Sequence, residues 1–336
     1  MKPAALVALS IVYGASHNTL AYAQSDAPPD GSRSPSQSSE ATPTQTQSAT
    51  EAQPAPEATA PRPPAPYSVP WQLRPAMPAT VVRSDTALAF YDDAASHNGS
   101  TVATTLLASY KVTPEIAPLV RVGFVRNSPP AGDSSSSFVN PIVGGVYGIK
   151  LRPELRLGLF LGAAIPVGQG GGNTPDLSHA AATKSGIYAR SAMDNAMFAV
   201  NDFVLFPGAD LAWVDGGLTV QAEVTVLQLI RVRGADVQPD SSKTNFTTGI
   251  HVGYFLVSAL SIGAELRHQR WLSTPAAVEK DAALRDTTTF AIGPRAHLQL
   301  DRSVWFRPGI AYARGLDAPM TTAHYNVVQV DLILAF

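Results

Sequence analysis

At 336 residues, with 45% hydrophobic and 15% charged side chains, the chain is long enough for one large domain. Its formal net charge of −2 excludes the basic excess of a general nucleic-acid binder. The absence of cysteine excludes disulfides, thiolate metal sites and a lipid anchor on Cys.

Lys2 precedes an apolar stretch from Ala4 to about Tyr13, and Ala21-Tyr22-Ala23 has the small-x-small form of a secretory cleavage site. This predicts a signal peptide over residues 1–23. The stretch is too short for a membrane-spanning helix, and no other run of about eighteen apolar residues follows.

Over residues 24–79 the composition shifts to Pro, Ser, Thr, Ala and Gln with little aliphatic periodicity. Such a segment buries too little apolar surface to offset its ordering entropy, so a disordered periplasmic linker is expected. In polyproline form, at about 3.1 Å per residue, it could reach well over ~100 Å. Either it touches peptidoglycan or a periplasmic protein, or it is a solvated tail.

From Thr80 onward, strand-like segments are joined alternately by tight turns and long polar loops. The tight turns are Thr113-Pro114-Glu115, Arg152-Pro153-Glu154, Asp215-Gly216-Gly217, Val257-Ser258-Ala259 and Asp301-Arg302-Ser303. The loops lie near residues 92–99, 127–137, 167–200, 232–243, 272–284 and 315–322. About twelve strands result, an even number that puts both barrel ends on the side of the short turns.

Each strand has one apolar and one polar face. Leu218, Val220, Ala222, Val224 and Val226 alternate with Thr219, Gln221, Glu223 and Thr225; Leu260, Ile262, Ala264 and Leu266 alternate with Ser261, Gly263, Glu265 and Arg267. A slip of one residue would exchange the faces, and an Arg at a bilayer midplane costs about 2–4 kcal/mol in barrels. Tyr110, Tyr147, Trp213, Tyr254, Phe306 and Tyr312 fall on the outward set, as aromatic girdles require. Pro118, Pro141, Pro207, Pro294 and Pro308 lie inside the expected strands, where each removes a ladder donor, so bulges or turn-proximal positions are expected there.

The last strand alternates Val328, Val330, Leu332 and Leu334 with Gln329 and Asp331, and ends on Phe336. With the turn–loop order, this resembles the bacterial (Gram-negative) outer-membrane β-barrels over residues 80–336. The resemblance implies an all-β, antiparallel transmembrane barrel in the outer membrane, in contact with lipid and lipopolysaccharide. It also implies Phe336 as a signal to the barrel-assembly machinery. A soluble β-sandwich is the competing architecture.

Measured from the short turns, Arg121, Asp210, Glu223, Glu265, Arg295, Arg307 and Asp331 point inward at similar depth, joined by His251 and Arg267. This belt reads either as a selectivity filter or as a structural ion-pair network. With Arg83, Lys111, Lys150 and Arg156 the inward set is more basic than acidic, which would favour anions if a pathway is open. The Gly168-Gln169-Gly170-Gly171-Gly172 run lacks the rest of a P-loop and reads as a hinge; residues 178–198 after it could form a helix over the mouth.

The scattered histidines show no metal-ligand spacing, and no cofactor is implied. Since some twelve-stranded barrels are lipid hydrolases, His97, His268 and His324 near the external rim are the residues to inspect for catalysis. Three readings follow. The first is a small passive channel or solute-uptake barrel with a charged lumen. The others are a closed structural barrel that binds a partner through loops or tether, and a rim hydrolase.

Overall fold

The computed structural model describes residues 66–93 and 95–336. The expected signal peptide, and the linker as far as residue 65, lie outside the described residues.

The chain forms one antiparallel sheet from β1 Val81–Asp92, β2 Asn98–Ser109, β3 Ile116–Ser128, β4 Ser135–Phe138, β5 Ile142–Lys150, β6 Leu155–Ala164, β7 Asp202–Asp215 and β8 Leu218–Arg231. It continues through β9 Ser242–Val257, β10 Leu260–Trp271, β11 Asp286–Ala296, β12 Leu298–Gln299, β13 Trp305–Phe306, β14 Gly309–Gly315 and β15 Asn326–Ala335. Each long strand pairs with the next, and β1 pairs with β15 from Val81↔Ala335 to Phe90↔Asn326, so the sheet closes. Setting aside the short β4, β12 and β13, the wall is a closed barrel of twelve strands. A closed sheet leaves no edge whose backbone groups would go unpaired in hydrocarbon. Among the described residues, no helix is long and apolar enough to cross a membrane.

The faces fall as the alternation requires. In β8, Thr219, Gln221, Glu223 and Thr225 are buried inside while Val224 and Val226 are exposed on the outer surface. Leu161, Leu211, Ile250, Val252 and Leu332 continue this exposed apolar surface around the wall. An apolar exterior of this extent is unfavourable in water and matches lipid.

The prolines are accommodated where the ladder is interrupted. Pro141 and Pro308 stand between β4 and β5 and between β13 and β14. Pro207 lies where the β7–β8 ladder skips from Leu205 to Gly208, and Pro294 where the β11–β14 ladder skips from Ile292 to Arg295. Pro118 sits just past the Ser109↔Leu119 end of the β2–β3 ladder, where its carbonyl still accepts from the Tyr110 amide at 3.1 Å. No ladder in the middle of the wall has to spare a donor.

Two segments enter the barrel. From the short-turn end, residues 66–79 run up the lumen and return. These fourteen residues belong to the segment expected to be a disordered linker, yet Trp71, Leu73 and Ala76 are fully buried. Wall contacts explain the difference: a Pro-rich segment that cannot make its own core is ordered by a lumen shaped to receive it. From the long-loop end, residues 165–201 fold inward around α1 Leu177–Ala189 and α2 Asn195–Phe198. Asp176 starts α1 by accepting from the Ser178 and His179 amides (2.8 and 3.1 Å), a standard N-cap. The glycine run beside it is pinned, with Gly168 N on Asn140 Oδ1 (2.9 Å) and Gly172 N on Asn201 Oδ1 (2.8 Å). A further short helix, α3 Ala276–Lys280, lies in the loop after β10.

Candidate functional site

The path of residues 66–79 follows glycines. Inward positions on β5, β6, β9 and β14 lack side chains where this strap passes: Gly148 faces Pro78, Gly158 faces Ala76, Gly249 faces Leu73, Gly253 faces Ser68 and Gly309 faces Trp71. A Cβ added at Gly309 would stand 2.6 Å from the Trp71 ring, and one at Gly158 2.8 Å from the Ala76 carbonyl. The wall leaves a slot along the strap.

Buried charges hold it there. Glu265 accepts from the backbone amides of Trp71 and Gln72, and Glu223 accepts from the Arg74 amide (2.6 Å) and guanidinium. Arg83 donates to the Pro70 and Trp71 carbonyls. The Trp71 ring lies under the Arg295 guanidinium at 4.3 Å, and Phe160 under Arg74 at 4.3 Å. Charge-assisted bonds and cation–π contacts of this kind are strongest away from water.

The belt expected from sequence is resolved into separate clusters. Glu265 meets Arg267 at 2.7 Å and His251 at 3.4 Å. Asp331 is clamped between Arg83 (2.8 Å) and Arg295 (2.6 Å). Asp210 and Glu223 are opposite one another on β7 and β8, and Gln221 donates to Asp210 at 3.3 Å. Arg121 forks onto Asp194 of the inserted loop (2.5 and 3.0 Å). Arg307 lies nearer the short turns, its guanidinium 5.7 Å from the Trp305 ring and its carbonyl accepting from Arg295. Lys111 and Lys150 are exposed and join none of these clusters.

Asp85, Arg190, Asp194 and Arg74 complete the clusters and were not singled out in the sequence. Arg190, fully buried, bridges Asp85 (2.7 Å) and Asp194 (2.8 Å). Asp85 faces Asp331 across the β1–β15 closure, a like-charge pairing that the arginines around it neutralise. Burial opposes ionisation of Asp194, but Arg121 and Arg190 outweigh it and hold that carboxyl well below the usual carboxylate range. Asp85 was recognisable as inward, two residues from Arg83; Arg74 and Arg190 lie outside the strands, where alternation carries no signal.

Strap and loop nearly meet. Gln72 and Arg74 from one side, and Met193 and Asp194 from the other, bound a cavity of about 60 Å³, room for a few waters.

The rim histidines gather no catalytic set. His97 contacts Asp93 (3.2 Å), His324 contacts Asp92 (3.2 Å) and His268 lies 3.6 Å from Asp286; no serine joins any of them among the described contacts. A Ser68–His251–Glu265 line does form inside the lumen, at 3.3 and 3.4 Å. All three are buried and Glu265 is committed to strap amides, so the line packs the strap and presents no nucleophile to a substrate. Phe336 is exposed on the outer surface beside the seam, its amide on the Thr80 carbonyl at 3.0 Å.

No protein-family model matches the chain, and no curated protein matches its sequence. Among solved structures it is similar to an outer-membrane channel from Pseudomonas putida F1, with 12% identity and a TM-score of 0.50 over 80% of this chain and 100% of that one. The chain has the outer-membrane β-barrel fold. The NanC porin (12% identity, TM-score 0.45, 77% of this chain and 99% of that one) is a looser match. So is the KdgM porin in complex with disordered oligogalacturonate (11% identity, TM-score 0.43, 76% and 99%). At these identities the likeness concerns the barrel fold alone.

Proposed function

We propose that this barrel is a solute channel of the outer membrane, held closed in its resting state by its own residues 66–79. The observation that carries the reading is the glycine slot: the strap occupies a lumen whose wall closes without it through the β1–β15 seam. Its withdrawal would vacate a polar passage and leave the barrel intact. The chain before residue 66 then lies in the periplasm, where it can reach a partner or the peptidoglycan, and the apolar exterior faces lipid and lipopolysaccharide. Phe336 serves as the assembly signal, so its deletion is expected to lower the folded, heat-modifiable fraction in outer membranes.

The expected anion preference is weaker on this reading. Without Arg74, the arginines at 83, 121, 156, 190, 267, 295 and 307 exceed the carboxylates at 85, 194, 210, 223, 265 and 331 by one. The deciding experiment is single-channel conductance in planar bilayers, comparing the full mature chain with one lacking residues 66–79. A silent full chain and discrete steps from the shortened one would support a strap-gated channel. Folded, silent barrels in both cases would overturn it.

That second outcome would favour a closed structural barrel, a reading with its own support. Arg190 anchors the inserted loop between Asp85 and Asp194 independently of the strap.

A further inference from the structure

At the long-loop end, a cavity of about 500 Å³ opens between α1, α3 and the ends of β9, β10 and β11. Its size is that of a small-molecule site. Three features specify its chemistry.

The walls are apolar and aromatic, formed chiefly by Trp271, Tyr188, Ile187, Val278 and Leu284. The cationic side chains outnumber the acidic ones. Lys184, Lys243 and Lys280 line the cavity with a single lining carboxylate, Asp240, which is occupied in capping the Ala276 amide (3.1 and 3.2 Å), and Asp281 stands beside it near Tyr188. Lys243 is paired with Asp202 at 3.0 Å, whereas Lys184 and Lys280 form no ion pair among the described residues.

The floor is a net of buried amides. Asn195 and Gln269 line the cavity and are 7% and 2% exposed. Asn195 Nδ2 reaches Asn245 and Gln269 at 3.3 and 3.4 Å, and Gln269 Nε2 reaches Thr287 and the Arg285 carbonyl at 3.3 and 3.4 Å. These are long for N–H···O bonds, which centre near ~2.9–3.0 Å. Gln269 Oε1 also accepts from Asn245 Nδ2 at 2.6 Å, so the floor is a closed polar net under the apolar walls.

We infer that this mouth cavity binds a small aromatic carboxylate, its ring between Trp271 and Tyr188 and its carboxylate taken by Lys184 and Lys280 at the exposed rim. Apolar walls with a few convergent donors provide affinity and orientation together. A neutral isostere would lose the ionic contacts, and a cationic one would face the lysines.

This deepens the channel reading by naming what the barrel collects at its mouth, and it is tested without transport. Naphthoate is titrated by calorimetry into the full chain in detergent, with naphthamide and naphthylmethylamine as neutral and cationic controls. Naphthoate is expected to bind at least about tenfold more tightly than either. Trp271→Ala is expected to lose most of that affinity, as is the Lys184→Ala/Lys280→Ala pair, with heat-modifiability showing that each variant is folded. Lys184→Gln/Lys280→Gln, which keeps the side-chain bulk, checks that the loss follows charge. Equal binding of the three probes, no naphthoate binding by the folded protein, or undiminished affinity in both lysine pairs would overturn the proposal. Binding by a barrel that never conducts would support the site while refuting the channel.

Discussion

The strap and the inserted loop enter the lumen from opposite ends and are seated by different means. The strap fits a slot that the wall leaves open at inward glycines, and most of its polar bonds to the wall use its backbone amides and carbonyls, with Arg74 on Glu223 as its ion pair. The loop is held by side-chain charge, with Arg190 between Asp85 and Asp194 and Arg121 forked onto Asp194. It also bears backbone strain: Ser191 and Ala192 lie in the left-handed region at φ 55° and 53°, turning the chain after α1 to set Arg190 in place. A segment whose seat depends on a fitted slot can be displaced by filling that slot. A segment seated by charge is released by removing one guanidinium.

The largest effect is expected at Arg190. In Arg190→Ala the buried Asp85 loses its ion-pair partner, and breaking such a pair costs about 3–5 kcal/mol. The loop should leave the mouth, seen as new protease cleavage within residues 165–201 and a lower unfolding midpoint, with the strap still seated. Unchanged cleavage would show that α1 packing alone retains the loop.

Gly309→Val tests the other side of the comparison. The new side chain collides with Trp71, and overpacking costs about 1–3 kcal/mol. The ion pairs of the wall remain, so the strap should yield before the barrel does. Accessibility of a cysteine introduced at Ser68, the sole thiol in the chain, is expected to rise. Protease sensitivity of the loop should not change. If both segments loosen together, they form one cooperative unit and the contrast fails.

How much of this was legible before the structure follows from the same contrast. Alternation in β8 and β10 exposed the inward charges because each strand repeats its period many times, and a wrong register would put Glu223 or Arg267 into lipid. The turn–loop order gave the strand count for the same reason. The strap was illegible because its own composition is that of a linker. The information lies in the glycines at 148, 158, 249, 253 and 309, which look like weak strand positions until the four strands that carry them are set around one lumen. Arg190 was hidden differently, since Asp85 is 105 residues away and no local period links a helix end to a strand.

A smaller effect, of opposite sign, is expected at the strained turn. Ser191→Gly removes the Cβ clash of the left-handed conformation, worth about 1–2 kcal/mol per residue. The flexibility that glycine adds to the unfolded chain offsets part of this. The net result should be a small rise in the protection of residues 165–201. The Arg267 Nη1 contact with Ser191 Oγ is long at 3.4 Å, so its loss should weigh little. A fall in protection would mean that the hydroxyl matters more than the strain.

The smallest effect within the ordinary pH range is the acid response of the loop. Asp194 has its folded-state pKa depressed by Arg121 and Arg190 against its burial, relative to roughly 3.9 for an unperturbed aspartate. A depressed carboxylate contributes stability that is fully present above its unfolded pKa and disappears as pH falls toward the folded value. Loop protection should therefore be flat from about pH 8 to pH 5 and decline only below about pH 4. Asp194→Asn should flatten that acid limb while lowering protection at neutral pH, because the neutral amide no longer answers two guanidiniums. The strap, which meets the wall without Asp194, should keep its own acid profile in that variant. A strap that lost protection in step with the loop would show the two closures to be coupled through the small cavity between them.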